Sequence, residues 1–269
     1  MSPTHVIMRT AAAILVAFLV VSAGAADWQK QLSPPQPGSF PALRPLRASY
    51  SFGWSLFTAA EATVELAETN DLRRLEVRGG TLGVVRGLWR MDAVSTTLWQ
   101  PGTLRPVSQV VTEVYQNKTV NLRLDFDASG VTQTRTTRSD ETPRPKRLDL
   151  SGIFDMPTAL MWLRSQRLSV GETYRCLAIP DTSAYLTELK IVGKEKLDIA
   201  GKNRAAIKVR LRAHEVDDQL KLVSSKRFKE AFAWFSDDND RMLLRMEAEV
   251  FIGSVWMELD KVEYRDGPG

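Results

Sequence analysis

Hydrophobic and polar residues alternate through most of this chain. Leu46, Ala48, Tyr50, Phe52, Trp54 and Leu56 fall on one side, and Arg47, Ser49, Ser51, Gly53 and Ser55 on the other. That period of two is the mark of a half-buried β-strand. Ala60, Ala62, Val64 and Leu66 repeat it against Glu61, Thr63 and Glu65, so the two runs read as a hairpin. The small Ala60 and Ala62 let the sheet curve or leave room beneath Trp54. Further strands are expected at Leu75–Val77, Trp89–Trp99, Val107–Tyr115, Thr119–Phe126 and Val131–Arg138. Val131–Arg138 is polar on both sides and rich in Thr, which suits a solvent-facing edge. Beyond it come Thr173–Ile179, Tyr185–Val192, Lys194–Ile199, Arg204–Ala213, Phe228–Phe235, Arg241–Ile252 and Val255–Tyr264. His214–Arg227 reads as a loop, and Asp237–Asp240 as a turn.

One segment breaks the alternation. Asp155-Met-Pro-Thr-Ala-Leu-Met-Trp-Leu-Arg-Ser-Gln-Arg167 carries the signals of a helix. Asp155 suits the N-cap, where a carboxylate accepts from free backbone N–H groups. Pro157 falls in the first turn, which tolerates a missing N–H. Met156, Leu160 and Leu163 form an apolar stripe. Arg164 and Arg167 sit where cations favour the helix dipole. Trp162 either anchors this helix on the sheet or lines a pocket between the two. Gly79, Gly80, Gly83 and Gly87 punctuate an apolar stretch read as a bulged strand or a flap; their spacing does not fit a phosphate loop. About a dozen strands in near-neighbour order predict a mostly-β fold: a large curved antiparallel sheet, barrel or half-barrel-like, with one packed α-helix.

Residues 1–26 read as a signal peptide, with Arg9, an apolar run from Ala11 to Val21, and small residues before position 27. Residues 27–45 form a Pro-rich leader, and residues 46–266 a single β-rich domain. Export to the periplasm follows, in soluble form once the signal is removed. Removal of Arg9 leaves a formal charge of +3, too weak a bias to imply nucleic acid. A lone cysteine, Cys176, excludes an internal disulfide, so the core must hold the fold.

Chemistry is sparse. Past the signal only His214 remains for a zinc site or a Ser–His–acid triad, so no metal, cofactor or catalytic residue is expected. Cys176 reads as a small core hydrophobe. Asp237-Asp-Asn-Asp240 lacks the spacing and glycine of a calcium loop. Glu61 and Glu65 lie on a polar strand face. Basic residues group at Arg135–Arg147 and along Lys202, Arg204, Lys208, Arg210 and Arg212, where a solvated sheet face is the simpler account. What remains is aromatic. Trp54, Phe57, Trp89 and Trp162 are the candidates to line an apolar pocket between helix and sheet.

Several segments resemble a bacterial exported family known as domain of unknown function 3108. Tyr50-Ser-Phe-Gly-Trp-Ser-Leu-Phe-Thr-Ala-Ala-Glu-Ala62 is similar to its opening hairpin. Asp155 to Arg164 resembles its Asp-x-x-Ser-x-Leu-x-x-Leu-Arg helix, with Thr158 in place of Ser. Trp234-Phe-Ser-Asp-Asp, followed by Arg245-Met-Glu247 and Ile252-Gly-Ser254, resembles its closing strands, with Leu243 where proline is frequent. The resemblance spans residues 46–264. It implies a periplasmic β domain and no activity, and it marks Asp155 and Arg164 as the matched polar residues. The expected function is a non-catalytic periplasmic binding module for an apolar or lipid-like ligand in cell-envelope maintenance. The alternative is a structural or protein-interaction protein of the envelope with no small-molecule ligand, whose partner is another envelope protein.

Overall fold

The structure, a computed structural model, describes residues 28–137, 142–224, 230–249 and 253–265. The signal-peptide segment lies outside the described residues. Sixteen strands form one sheet. The first eight are β1 (Leu46–Trp54), β2 (Phe57–Thr69), β3 (Leu72–Thr81), β4 (Met91–Trp99), β5 (Pro106–Tyr115), β6 (Thr119–Phe126), β7 (Val131–Thr136) and β8 (Lys146–Leu148). The rest are β9 (Ile153–Asp155), β10 (Thr173–Ile179), β11 (Ala184–Ile199), β12 (Lys202–Val216), β13 (Leu222–Ser224), β14 (Ala231–Ser236), β15 (Leu243–Glu249) and β16 (Ser254–Tyr264). Two helices, α1 (Gly83–Leu88) and α2 (Met156–Ser165), complete the described elements with a 3-10 turn at Trp28–Gln31.

The path of the chain explains the curvature. It starts at mid-sheet with β1 and walks outward by hairpins to β8. It then crosses to the opposite end at β9 and walks back through β10, β11, β12, β14 and β15 to β16, which pairs with β1. Only four residues, 149–152, join β8 to β9. Five peptide steps reach at most about 18 Å, so the sheet must curl until its two ends nearly meet. They meet as packed side chains, not as a ladder. Leu122, Leu124 and Val131 from one end share a core with Ile153, Leu177, Ile179 and Leu186 from the other. Gln133 Nε2 donates to the Thr182 carbonyl at 3.2 Å across the same seam.

Turn chemistry supports the meander. Asn70 and Asp71 both adopt positive φ between β2 and β3, as do Ala200 and Gly201 between β11 and β12. That is the conformation a two-residue hairpin demands.

Helix α2 lies inside the curl. Asp155 caps it as expected: its Oδ1 accepts from Thr158 N–H at 2.8 Å. Ala159, Trp162 and Leu163 pack on Phe154, Ile191, Ile207, Val209 and Phe235. Trp162 is fully buried, stacks on Phe154, meets Tyr174 edge-on, and donates from Nε1 to the Gln36 carbonyl at 3.0 Å. Residues 28–45 strap this helix from outside. Trp28 and Leu43 are buried, Ser33 N–H bonds the Arg175 carbonyl, and Phe40 N–H bonds the Ser165 carbonyl.

Several local expectations are corrected. The glycine-spaced segment holds a helix, α1, where a bulged strand or flap was expected; glycine at positive φ (Gly83) starts it. Tyr185–Val192 and Lys194–Ile199 are one strand, β11, bent by a register shift at Gly193. Val131–Thr136 is not an edge, because β8 pairs with it, and its Gln133 is buried inside the curl. His214 sits in β12, exposed on a strand and not in a loop. The sheet is antiparallel except for β9 on β10, which run parallel because the chain leaves β9 into α2 before returning.

Replacing the fully buried Trp162 with Ala removes the contact that seats α2. We expect a loss of about 3 kcal/mol or more in urea unfolding at equilibrium; a loss below about 1 kcal/mol would show that the helix is seated by other contacts.

Candidate functional site

The inner faces of β1, β2 and β3 are apolar along their length, since Leu46, Ala48, Tyr50 and Phe52 face Ala62, Val64, Leu66, Leu75 and Val77. Opposite them stands the side of α2 that carries Met156, Leu160 and Met161. Between the two lies a cavity of about 210 Å³, closed laterally by Phe235, Leu243, Met246 and Met257. The small Ala48 and Ala62 keep this space open. It lies beside Phe52, one alternation deeper than Trp54.

Burial falls toward the same end along β1 and along β16 from Leu259 onward. Leu46, Ala48 and Tyr50 of β1 and Leu259 of β16 are buried, whereas Phe52 and its partner Met257 beyond them are only half-buried although they face inward. The cavity therefore opens toward the end of the sheet where β1 turns into β2. The opposite end is a polar floor. Arg164 Nε donates to the Asp240 carbonyl at 2.9 Å and its Nη1 to the Pro41 carbonyl at 2.6 Å. Arg241 donates to the carbonyls of Arg164 and Gln166. Phe40 lies between the two guanidinium groups, with ring centroid distances of 5.1 Å to Arg164 and 3.6 Å to Arg241. Burial pulls the Arg164 pKa down to about 10, helped by the neighbouring Arg241. Both side chains thus tie the floor together through backbone oxygens.

The inner face changes character beyond β3. Thr97, Gln109 and Gln133 are buried and lie in one cross-strand row through β4, β5 and β7. The cavity between α2 and β1–β3 takes no lining residue from β4–β7.

The sequence candidates divide. Trp162 is core, packed on the far side of α2 from the cavity. Trp54, Phe57 and Trp89 are exposed at the rim, outside the cavity wall. Cys176 is buried, with its thiol pushed up to about 12 by desolvation, so it stays protonated at neutral pH. Three of the strand-face cations are paired, Arg212 and Arg210 with Glu230 at 3.1 Å and 3.6 Å and Lys208 with Glu195 at 3.5 Å. Among the described residues no group of three or more His, Cys, Asp or Glu could hold a metal. No helix there is long and apolar enough to cross a membrane.

Residues 49–260 match the family described as "Protein of unknown function (DUF3108)". The chain belongs to this family. Among solved structures, a β-barrel-like protein of domain of unknown function DUF1849 from Brucella abortus superposes with a TM-score of 0.54 at 12% identity. The superposition covers 84% of this chain and 100% of that one, and it establishes a shared barrel-like fold. Lower similarity is found to a candidate lipoprotein from Parabacteroides distasonis, at TM-score 0.34, 6% identity, and coverage of 85% of this chain and 99% of that one. No curated protein matches the chain.

In this DUF3108 chain the two motif residues hold the two ends of the helix. Asp155 is fully buried and holds Thr158 by both its N–H and its hydroxyl, the latter at 3.0 Å. Thr158 serves here because a hydroxyl is all the cap requires. Arg164 ties the other end to the β14–β15 turn and the strap. The side chains that sequence reasoning did not name as pocket lining are methionines. Met156, Met161, Met242, Met246 and Met257 all line the cavity, five of the eight in the chain. Their positions are spread over α2, β15, β16 and a turn, so only the fold collects them.

Burial pushes the Asp155 carboxyl up to about 7, against the opposing bonds from Thr158. Between about pH 4, its value in an unfolded chain, and pH 7 the folded state holds a proton that the unfolded chain has released. Stability contributed by this group is therefore lost as pH rises through that window. Asp155→Asn keeps an acceptor for Thr158 and cannot ionise. Urea unfolding of both proteins should show the variant gaining on the parent from pH 4 to pH 8; a difference independent of pH would mean that folding leaves the carboxyl's pKa unshifted.

Proposed function

We propose that this protein is a non-catalytic carrier-type binding module of the periplasm that takes the chain of an apolar, lipid-like molecule. The observation that carries the reading is the cavity of about 210 Å³ between α2 and β1–β3, with an apolar wall that remains half-exposed toward one end. An apolar space of roughly 150 Å³ already accepts a benzene-sized guest. This one has room for a short length of acyl chain and not for a whole phospholipid. Methionine suits such a wall, because its unbranched, polarisable side chain repacks around guests of different shape. The polar floor offers no obvious reacting group, since the Arg164 and Arg241 guanidiniums already donate to backbone carbonyls. Ligand capture therefore depends on apolar contact, and no cofactor is required. The alternative, an envelope interaction protein with no small-molecule ligand, leaves the half-exposed inner wall without a purpose.

Val64→Trp places bulk in the middle of the cavity wall. Native mass spectrometry of protein isolated from the periplasm should find an apolar adduct on the parent chain and none on the variant. Overfilling should cost the variant no more than about 1–3 kcal/mol of stability. Adduct-free parent protein that also fails to take up added fatty acid would end the carrier reading.

A further inference from the structure

The cavity opens toward an end of the sheet that is unusually apolar on its outside. In the β1–β2 turn Trp54 is 49% exposed, Leu56 94% and Phe57 72%. In α1 and just after it, Val84 and Leu88 are each 80% exposed and Trp89 is 53% exposed. The pairing places these segments side by side. Trp54 faces Phe57 across the hairpin, Ala60 pairs with Thr81, and Leu82 N–H donates to the Ala59 carbonyl at 2.9 Å. The rim continues to the β5–β6 turn, where the Trp89 ring lies 6.0 Å from that of Tyr115 and Lys118 lies 5.2 Å from the Tyr115 centroid.

We propose that this rim docks on an anionic phospholipid bilayer, so that the cavity is loaded from the membrane. Three observations select a bilayer over a protein groove. The large apolar side chains stand on projecting turns and on a six-residue helix with no buried residue, a shape that penetrates a soft interface. Indole rings beside aliphatic tips are the chemistry of the membrane–water boundary. The charge also fits. The segments Trp54–Phe57, Leu82–Arg90 and Gln116–Lys118 hold Arg86, Arg90 and Lys118 and no acid. Two carboxylates border these segments: Asp92, shared by Arg86 and Arg90 at 2.7 Å and 3.2 Å, and Glu113, which accepts from the Tyr115 hydroxyl at 2.8 Å; three cations against these two acids leave the rim weakly cationic. Continuity with the cavity gives the docking a use. Phe52 lines the cavity, and Trp54 follows it on the same strand at the rim. A chain leaving the bilayer there would slide in tail first toward the Arg164–Arg241 floor. The loading step rests on the carrier reading; the docking itself does not.

The test uses protein isolated from the periplasm and vesicles of phosphatidylglycerol and phosphatidylcholine. Cosedimentation should show binding that weakens with salt and is lost in vesicles of phosphatidylcholine alone. Leu56→Asp with Phe57→Asp should lower the partition coefficient by about tenfold or more, since moving one large apolar side chain out of water is worth roughly that factor. Both side chains are exposed, so the thermal midpoint should not move. Val64→Trp should bind vesicles like the parent. Absence of vesicle binding by the parent, equal binding by the rim variant, or a rim-dependent complex with a protein or a second copy in place of lipid would each overturn the docking. Rim-dependent vesicle binding by a parent that neither carries an adduct nor takes up added fatty acid would uphold the docking while removing the carrier function.

Discussion

A single short helix must serve the inside of a sheet of sixteen strands, and that mismatch of length shapes the rest of the molecule. Helix α2 has ten residues and spans about 15 Å. Strand β1 alone has nine residues and spans about 30 Å. The helix can be seated tightly at only one end of the curl. There Trp162, Leu163 and Ala159 make a dry core with β10, β11, β12 and β14. Along β1–β3 the remaining depth is bridged by flexible methionines and left partly open. Closing this space would need a longer helix or larger residues in place of Ala48 and Ala62.

Seating the helix at one end requires that both its termini be held. At its start the strand β9 runs straight into the cap, so Asp155 is at once the last residue of a strand and the N-cap of the helix. Such a carboxylate is deeply desolvated, and the two bonds from Thr158 only partly offset the cost of charge there. At its end the helix is met by two arginines and the strap. Arg241, itself in the left-handed region, caps the carbonyls of Arg164 and Gln166 from the β14–β15 turn. Gly38 passes so close to the helix end that a Cβ there would lie 2.2 Å from the Ser165 carbonyl oxygen. The strap and the turn are thus parts of one clamp, although more than a hundred residues separate them in sequence.

Alternation made the strands legible, because a sheet with one dry face imposes a period of two. The helix was equally legible from Asp155, Pro157 and its apolar stripe. What alternation does not carry is which strands meet across the seam. Val131–Thr136 looks like an edge because its inward side carries Gln133, yet β8 and the Thr182 turn cover it. α1 escaped notice because its glycines and six-residue length suppress helical periodicity. The pocket candidates failed to gather for a related reason. Aromatics draw attention as pocket linings, but Trp162 fills the tight side of α2, and Trp54, Phe57 and Trp89 sit where strands end and the inward face runs out. Methionine is the residue least distinguished by pattern, so five of them converge without a local signal.

The result is a molecule with two unlike ends. At the floor, Arg164, Arg241, Asp240 and Phe40 knit the helix, strap and β14–β15 turn together through carbonyl bonds and ring stacking. That end can move only by breaking several bonds at once. At the rim, α1 contributes no buried side chain, and the β1–β2 turn is held at Ser55, whose N–H donates to the Ser254 carbonyl at 2.8 Å and whose carbonyl accepts from Trp256 Nε1 at 2.8 Å. Few buried contacts and exposed backbone mark the low-stability end of a fold. Any widening needed to admit a guest is therefore least costly at the rim, where the wall is already apolar and only half-buried. A rigid floor with a yielding mouth follows directly from a helix anchored at one end of a sheet it is too short to fill.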